Sequence, residues 1–193
     1  MLRIAEDADV PAILAVYAPY VLHSTATFEY EVPAQAEFLQ RFRSVTARFP
    51  WLVWEEDGQI LGYAYAALPF SRAACAWCAE PTVYLKPEAQ GRGIGKRLYG
   101  VLEVILQMQG YRVLYAKICD ENTASVAFHE NRGYAVAARF PDCAWKFGRW
   151  VGLTWMEKRL PAVESPSDFP VSWLSIRQDT QRFSNILDNL SLS

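Results

Sequence analysis

A glycine-rich turn with basic side chains is the part of the sequence best suited to bind a ligand. Residues 90–97 read Gln-Gly-Arg-Gly-Ile-Gly-Lys-Arg and lie between a predicted strand and a predicted amphipathic helix. Glycines permit a positive φ and carry no Cβ that would block a ligand, so successive backbone N–H groups can converge at the start of the helix. Such a turn is suited to a pyrophosphate, although a flexible loop before a solvated basic helix would have the same composition.

Two other phosphate-binding motifs fit this turn poorly. A P-loop ends in Gly-Lys-Ser or Gly-Lys-Thr, whereas Gly95-Lys96-Arg97 offers no hydroxyl to hold Mg²⁺. A dinucleotide-binding fold places its glycines after the first strand and an acidic residue ~20 residues later, whereas this turn follows about four predicted strands. A nucleotide-binding fold of either kind is therefore disfavoured.

Hydrophobic periodicity predicts a mixed order of strands and helices around the turn. Asp57-Gly58 between two apolar runs indicates a β-hairpin, and Gly110 is suited to end the helix that follows the glycine turn. In chain order, the sequence predicts a strand over 2–5, a helix over 10–21, a helix from Pro33, hairpin strands over 51–54 and 60–65, a strand over 76–85, a helix up to 109, a strand over 112–118, a helix over 122–131, and strands over 134–140 and 150–159.

The length and composition indicate one domain with a sizeable core. The chain has 193 residues, of which 52% are hydrophobic, and this suits one domain with or without an appendage. The near balance of 19 basic and 21 acidic side chains argues against a protein that binds duplex nucleic acid. No apolar run approaches the ~20 residues of a membrane span, and the N-terminus lacks a secretion signal, so we expect a cytoplasmic protein.

The four cysteines, Cys75, Cys78, Cys119 and Cys143, are expected to be reduced thiols. Cys75 and Cys78 have the spacing of metal ligands, but no second pair of cysteines or histidines completes a zinc site. None has a clear activating base next to it in the sequence, which argues against an acyl-cysteine mechanism. The sequence therefore predicts no metal.

Residues 83–95 resemble the coenzyme A signature of the GCN5-related N-acetyltransferases (GNAT). The Q-x-x-G-x-G core of that signature falls on Gln90, Gly93 and Gly95. Other stretches are similar to the branch that contains phosphinothricin N-acetyltransferases and enzymes acting on methionine sulfone and sulfoximine. These stretches are 27–28, 63–65, 79–84, 129–130, 133–134 and 146–150. The resemblance covers about residues 2–160.

The resemblance implies an α/β (α+β) fold with a mixed, mostly antiparallel twisted sheet flanked by helices. In this fold two central strands splay apart, and the pantetheine of the cofactor fills the gap. Pro81 fits such a splay because proline donates no hydrogen bond to a strand ladder, although an edge strand would hold it equally well. Residues 1–160 are expected to form the acetyltransferase domain. Residues 161–193 read as a linker and a weak helical stripe, which could dock on this domain, dock on a second subunit or be an extension.

Acetyl-CoA is the cofactor that the resemblance implies, with no metal. The family binds it through backbone groups of the strand before the turn and of the turn itself, and a strand N–H near Val83 would polarise the thioester carbonyl. Asn122 is expected to contact the pantetheine and to cap the helix that begins near Thr123. The residues expected to bind acetyl-CoA are Val83, Tyr84, Leu85, Gly91, Arg92, Gly93, Ile94, Gly95, Lys96 and Asn122.

Glu80 and His129 are the residues to which the resemblance assigns catalysis. An alkylammonium must lose a proton before its nitrogen can attack, and the Glu80 carboxylate is expected to accept that proton as general base. His129 stands where many members of the superfamily carry a tyrosine that protonates the departing thiolate, and this branch carries histidine. Without the resemblance, Glu80 reads as a solvent-facing strand residue and His129 as an ordinary helix histidine.

The residues expected to bind the acceptor amine come from the resemblance alone. Arg72 aligns with an arginine that holds the carboxylate of the acceptor, and a solvated loop arginine is the competing interpretation. Phe28 and Trp77 are expected to wall the pocket, and Lys146 or Trp150 to reach it from the neighbouring subunit of a homodimer. Cys75 departs from the family, which often has tyrosine near this position, so the expected acceptors are amino-acid analogues in general rather than phosphinothricin in particular.

The predicted function is transfer of the acetyl group of acetyl-CoA to the primary amine of a small amino-acid-like acceptor, by direct attack in a ternary complex. The expected partners are this amine and a second copy of the chain, with no nucleic acid and no membrane. Two alternatives stay open: a non-catalytic acyl-CoA-binding sensor, and a protein or peptide N-acetyltransferase. A sensor would keep the glycine turn but would not need both Glu80 and His129.

Overall fold

The computed structural model describes residues 1–161 and 168–178, and these residues form one seven-stranded sheet with helices on both faces. The spatial order of the strands is β1-β2-β3-β4-β5-β7-β6. The elements are β1 Leu2–Ile4, α1 Val10–His23, α2 Gln35–Thr46, β2 Trp51–Glu56, β3 Gln59–Ala67, β4 Cys78–Leu85, α3 Ile94–Gln109, β5 Val113–Cys119, α4 Thr123–Glu130, β6 Ala135–Lys146, β7 Arg149–Arg159 and α5 Trp173–Arg177.

The pairing of β4 with β5 is the only parallel contact between described strands, and it ends early. These two strands pair at Cys78↔Val113 and Ala79↔Leu114 and at no later residues, although β4 continues to Leu85 and β5 to Cys119. Each strand keeps its antiparallel partner on the other side along this stretch, β3 for β4 and β7 for β5. The sheet therefore opens into a gap between β4 and β5. The prediction of a mostly antiparallel sheet with a splayed central pair is confirmed.

Alternating side chains of the sheet pack against helices on opposite faces. On β2, Trp51 and Val53 belong to a buried cluster with residues of α1 and α2, whereas Leu52 and Trp54 belong to the cluster that contains the apolar face of α3. This division follows from the two-residue repeat of a strand, which directs successive side chains to opposite faces. The sheet is therefore covered by a buried core on each face.

Glycines mark both ends of α3, the helix that follows the glycine-rich turn. Gly93 precedes the helix with φ 77° and Gly110 follows it with φ 93°, left-handed conformations that favour a residue without a Cβ. The buried side chains of α3 include Leu98, Leu102 and Leu106. The predicted helix and its end at Gly110 are confirmed.

The structure differs from the sequence prediction mainly at β6. This strand was predicted to stop at residue 140 but reaches Lys146, because the ladder with β7 shifts register between Phe140 and Ala144 rather than ending. Asp142 lies in this irregular stretch with φ 49°, a conformation typical of turns. The second difference is small: α2 begins at Gln35, two residues after Pro33.

The described part of the C-terminal segment packs on the same chain. Trp173 of α5 is buried, and its indole N–H donates to the Thr46 carbonyl at 2.7 Å. The Gln109 side-chain amide donates to the carbonyls of Arg48 and Val171, both at 2.8 Å, and so links the ends of α2 and α3 to this segment. The predicted stripe residues Phe183, Ile186, Leu187 and Leu190 lie outside the described residues.

Truncating Trp173 is expected to destabilise the domain. Trp173→Ala removes a large buried ring and the indole hydrogen bond, which should lower the free energy of unfolding by about 3–5 kcal/mol in urea denaturation. Leu174→Ala is the matched control, because Leu174 is 45% exposed on the same helix. Equal stability of both variants and the unmodified chain would show that α5 does not dock as described.

Candidate active site

A cleft of about 720 Å³ opens where β4 and β5 separate. Its walls come from the two splayed strands, the glycine-rich turn, the first turns of α4 and the segment after α1. Eleven of the sixteen residues predicted for the site line it, namely Phe28, Glu80, Val83, Tyr84, Leu85, Gly91, Gly93, Gly95, Lys96, Asn122 and His129. The fold thus brings together most of a site that the sequence scatters over about a hundred residues.

The free edge of β4 presents backbone groups to this cleft. The carbonyl of Pro81 accepts a hydrogen bond from the Tyr99 hydroxyl at 3.2 Å, and the backbone of Leu85 contacts the Tyr20 hydroxyl through both its N–H and its C=O. The backbone groups of Pro81 and Leu85 therefore point away from β3. Because backbone direction alternates along an antiparallel strand, Val83 between them also directs its N–H into the gap. Pro81 has no N–H, so the splay costs no donor at that position.

The glycine-rich turn lies at the far end of β4 and leads into α3. Gly91 and Gly93 have φ 72° and 77°, and a Cβ built on either would meet no other atom within 4 Å. At Gly95 a Cβ would lie 3.3 Å from the Leu85 side chain, so this glycine permits close packing of α3 on β4. The first N–H groups of a helix have no partner within it and carry partial positive charge. This end of the cleft is therefore suited to a diphosphate.

Two residues of the predicted cofactor set turn their side chains elsewhere. Arg92 pairs with the Glu56 carboxylate at 2.7 Å, and Ile94 is buried in the core under α3. Only their backbone groups are available to a ligand in this arrangement. Lys96 does line the cleft and supplies a positive charge beside the turn.

Asn122 caps α4 as predicted. Its side-chain Oδ1 accepts a hydrogen bond from the Ser125 backbone N–H at 3.1 Å. Asn122 and Ser125 both line the cleft, so the cap holds the start of α4 against the gap.

Glu80 stands at the point where β4 leaves β5, and it is paired with a lysine that sequence analysis missed. The Nζ atom of Lys117 lies 2.6 Å from Oε2 of Glu80, and the two side chains are 27% and 22% exposed. Lys117 comes from the splayed part of β5, and its Nζ also lies 4.8 Å from the centroid of the Trp155 ring. A cation within this distance of an aromatic face is attracted to it. Lys117 thus holds the Glu80 carboxylate in the cleft, and the Trp155 ring in turn restricts Lys117.

His129 is buried beneath the cleft with both ring nitrogens in hydrogen bonds. Nδ1 lies 2.7 Å from the carbonyl of Ser125 and Nε2 lies 2.9 Å from the hydroxyl of Tyr99. Burial lowers the pKa of the His129 imidazole below its ordinary value of 6.5, and the hydrogen bond to Ser125 opposes this only in part. In the neutral ring Nδ1 must carry the proton, because a carbonyl can only accept, so Nε2 is an acceptor. The Tyr99 hydroxyl has a single proton, which it shares between Nε2 at 2.9 Å and the Pro81 carbonyl at 3.2 Å.

Three predicted acceptor-binding residues are not among the described residues that line the cleft. Arg72 is exposed and precedes a short 3₁₀ helix at residues 73–75. Trp77 stacks on Phe169 of the C-terminal segment, with ring centroids 5.0 Å apart. Lys146 is buried and donates from Nζ to the Thr27 carbonyl of its own chain at 2.7 Å, so its ammonium group is already bound within one subunit. The pocket roles expected for these three side chains therefore stay predictions.

Tyr20 is a further cleft residue that sequence analysis missed. Its hydroxyl contacts the Leu85 backbone and receives a hydrogen bond from the Gln90 side-chain amide at 3.3 Å. The helical stripe of α1 gives no signal for this role, because Tyr20 lies outside it. The pairing of Lys117 with Glu80 has no local signal either, since it joins two strands across a gap.

The described residues offer neither a metal site nor a membrane-spanning helix. Within residues 1–161 and 168–178, no group of three or more His, Cys, Asp or Glu side chains has the arrangement of a metal site. Within the same residues, no helix is both long and apolar enough to cross a membrane.

The chain is similar over most of its length to known acetyltransferases. The family described as the acetyltransferase (GNAT) domain matches residues 2–155. Phosphinothricin N-acetyltransferase of Alcaligenes faecalis is 39% identical over 167 residues, covering 84% of this chain and 84% of that protein. The L-methionine sulfoximine/L-methionine sulfone acetyltransferase of Salmonella typhimurium is 32% identical, covering 86% of this chain and 97% of that protein.

A solved structure has the same fold. The phosphinothricin acetyltransferase of Sinorhizobium meliloti in complex with acetyl-CoA superposes with a TM-score of 0.84 at 33% identity, covering 89% of this chain and 94% of that chain. This chain therefore belongs to the GNAT acetyltransferase family. It is an acetyl-CoA-dependent N-acetyltransferase, and acetyl-CoA is the acetyl donor.

Burial of neutral His129 predicts a pH dependence of stability. The unfolded chain binds a proton at His129 near the ordinary pKa, whereas the folded chain binds it only at lower pH. The unfolded state therefore holds more protons in this window, and stability falls as the pH drops from about 7 to 5. Urea denaturation should show this fall, and His129→Gln should make it shallower. His23→Gln, at an exposed position, should keep the wild-type slope; equal slopes in all three proteins would contradict the assignment.

Proposed function

We propose that the chain transfers the acetyl group of acetyl-CoA to the primary amine of a small amino-acid-like acceptor, of the phosphinothricin, methionine sulfone or methionine sulfoximine type. The observation that supports this most strongly is the position of Glu80, a carboxylate on the cleft wall where β4 leaves its parallel partner. The names of the relatives at 32–39% identity support the same class of acceptor. Attack is direct, within a complex of the enzyme with both substrates.

The cleft fits acetyl-CoA in three respects. The free Val83 N–H faces the gap, the glycine turn leaves open space beside the start of α3, and the volume of about 720 Å³ accepts an extended ligand. Acetyl-CoA supplies a thioester whose carbonyl carbon is open to attack by an amine. The Val83 N–H is placed to donate to the carbonyl oxygen and so to stabilise negative charge that develops there. The N–H groups at the start of α3 and the Lys96 ammonium would hold the diphosphate.

Glu80 would act as general base. The acceptor enters as an ammonium ion, and its proton passes to the carboxylate directly or through one water before the nitrogen attacks. In the absence of an acceptor, the Lys117 Nζ atom, 2.6 Å from Oε2, holds the Glu80 carboxylate in place. The acceptor ammonium would replace this lysine as the nearest partner of Glu80, so recognition of the amine and activation of the base occur at one carboxylate.

His129 would act through Tyr99 rather than as an acid by itself. Its Nε2 accepts a hydrogen bond, and a nitrogen without a proton cannot donate one. The Tyr99 hydroxyl lies between this nitrogen and the Pro81 carbonyl on the wall of the gap. We therefore assign His129 to orienting Tyr99 and the adjoining part of β4, with the departing thiolate taking its proton from solvent.

We propose a cytoplasmic homodimer with a catalytic domain of residues 1–160. Unpaired thiols such as Cys75 and Cys78 fit a reducing compartment. Trp145, Phe147 and Trp150 at the tip of the β6–β7 hairpin are 47%, 50% and 58% exposed, and exposed aromatic patches mark protein interfaces.

The homodimer is tested by sedimentation equilibrium. At about 10 μM we expect a dimer, and Trp150→Glu should convert it to a monomer because a charge would be buried at the interface. Leu174→Glu is the control, because it introduces the same charge at another exposed apolar position, on α5; this variant should remain dimeric. A monomeric wild-type chain would contradict the proposal.

Glu80→Gln tests the catalytic assignment. The amide keeps the size of the side chain but cannot accept the proton, so kcat with methionine sulfone should fall about 10²–10⁴-fold. The calorimetric Kd for acetyl-CoA should stay unchanged, because Glu80 does not contact the diphosphate end of the cleft. Glu130→Gln, at an exposed position of α4, is the control and should keep full activity.

The acceptor panel of this assay separates the candidate functions. Acetylation of amino-acid sulfones and sulfoximines supports the proposal, whereas acetylation of peptides alone would favour a protein acetyltransferase. Tight binding of CoA with no transfer to any amine would favour a sensor. An undiminished rate for Glu80→Gln would remove Glu80 from the mechanism.

A further inference from the structure

Lys117 places a primary amine of the protein itself where the acceptor amine is expected. Its Nζ atom lies 2.6 Å from Oε2 of Glu80, and both residues line the cleft that fits acetyl-CoA. Lysine and the proposed acceptors present the same reactive group, a primary ammonium on a saturated carbon. The contact with Glu80 is the one that a substrate ammonium would make.

The position of Lys117 along β5 brings this amine toward the reacting end of the gap. Leu114 is the last β5 residue paired with β4, so Lys117 lies in the splayed part, across the gap from the free edge that contains Val83. The Trp155 ring, 4.8 Å from Nζ, is a second contact of this ammonium group besides Glu80. A reacting group that is held in place beforehand gains a large advantage over one in solution.

We propose that the enzyme acetylates its own Lys117 within one chain when no acceptor occupies the cleft. Glu80 accepts one proton from the Lys117 ammonium and passes it to solvent. The freed Nζ attacks the thioester carbonyl carbon, a C–N bond forms, and the C–S bond breaks. The second nitrogen proton goes to the CoA sulfur, so the products are an N-acetyllysine, free CoA and one released proton. The proposal rests on the proposed function in one respect, the role of Glu80 as base.

Self-acetylation would change the site that performs it. An acetylated lysine has no charge, so the ion pair with Glu80 is lost and the modified side chain occupies space beside the carboxylate. A bound acceptor ammonium displaces Lys117 from Glu80 and thereby protects it. The modification would consequently accumulate in the presence of acetyl-CoA when acceptor is scarce.

Another lysine of the chain provides a matched control. Lys158 forms an ion pair with Oε2 of Glu103 at 3.0 Å, and its side chain is 25% exposed, against 27% for Lys117. Lys158 is not among the described residues that line the cleft. It reports how fast a paired lysine of equal exposure reacts with acetyl-CoA without help from the site.

The test is peptide mass spectrometry of the full chain incubated with acetyl-CoA and no acceptor. We expect a gain of about 42 Da on Lys117, on the order of 100-fold faster than on Lys158, as general base catalysis provides. The rate constant should not depend on protein concentration. Glu80→Gln should slow the reaction at Lys117 to the rate at Lys158, Lys117→Arg should abolish it, and methionine sulfone should slow it in proportion to its saturation of the enzyme.

Equal labelling of Lys117 and Lys158, or no labelling of Lys117, would overturn the proposal without any variant having to fold. The same samples keep this failure separate from failure of the proposed function. An enzyme that acetylates methionine sulfone but leaves Lys117 unmodified retains the proposed function and loses this inference. An enzyme that modifies Lys117 but acetylates no free amine retains the inference and loses the proposed acceptor class.

Discussion

The early end of the β4–β5 pairing is the constraint on which the rest of the site depends. After two residue pairs, the strands separate while each remains in the ladder on its other side. A strand edge inside a sheet is normally unfavourable, because its N–H and C=O groups lose their partners. Here the exposed groups are met by Tyr99 at Pro81 and by Tyr20 at Leu85, and the Val83 N–H between them faces the gap. The opening is therefore part of the fold, with its cost limited by these side chains.

Two pairs of polar side chains lie beside this gap, and they differ in charge and in burial. Glu80 and Lys117 form a partly exposed ion pair, in which a substrate ammonium could replace Lys117. His129 and Tyr99 form a buried, uncharged pair whose nitrogens and oxygen are all hydrogen-bonded. The first pair is suited to exchange a proton with the acceptor, and the second is suited to hold geometry. This difference in burial is the physical reason to assign the two predicted catalytic residues different roles.

Local chemistry explains which parts of the site were predictable. The glycines of the turn are needed for positive φ, Asn122 is needed as a cap, and Pro81 marks a place where pairing fails; each has a signal in its own neighbourhood. Arg72, Trp77 and Lys146 were assigned by resemblance alone, and their side chains lie against solvent, Phe169 and Thr27, so their pocket roles stay predictions. The family resemblance supplied the fold, but it did not supply side-chain directions.

The residues that sequence analysis missed depend on contacts between distant segments. Lys117 is one polar residue on an otherwise apolar strand, and only its ion pair with Glu80, on the strand across the gap, marks it as part of the site. Tyr20 reads as a helix residue and reaches the cleft wall only because α1 ends beside Leu85. The extension of β6 to Lys146 depends on a register shift against β7. Asp142, in this stretch, has the backbone conformation of a turn, so the sequence pattern there indicates the end of a strand.

Amide hydrogen exchange at Val83 tests the central claim most directly. Without ligand, we expect the Val83 N–H to exchange much faster than the N–H of Tyr84, which faces β3, and saturation with CoA should slow exchange at Val83 while leaving Tyr84 unchanged. A Val83 amide that is already protected in the free protein, or one that CoA does not affect, would contradict the account of an open strand edge that receives the cofactor.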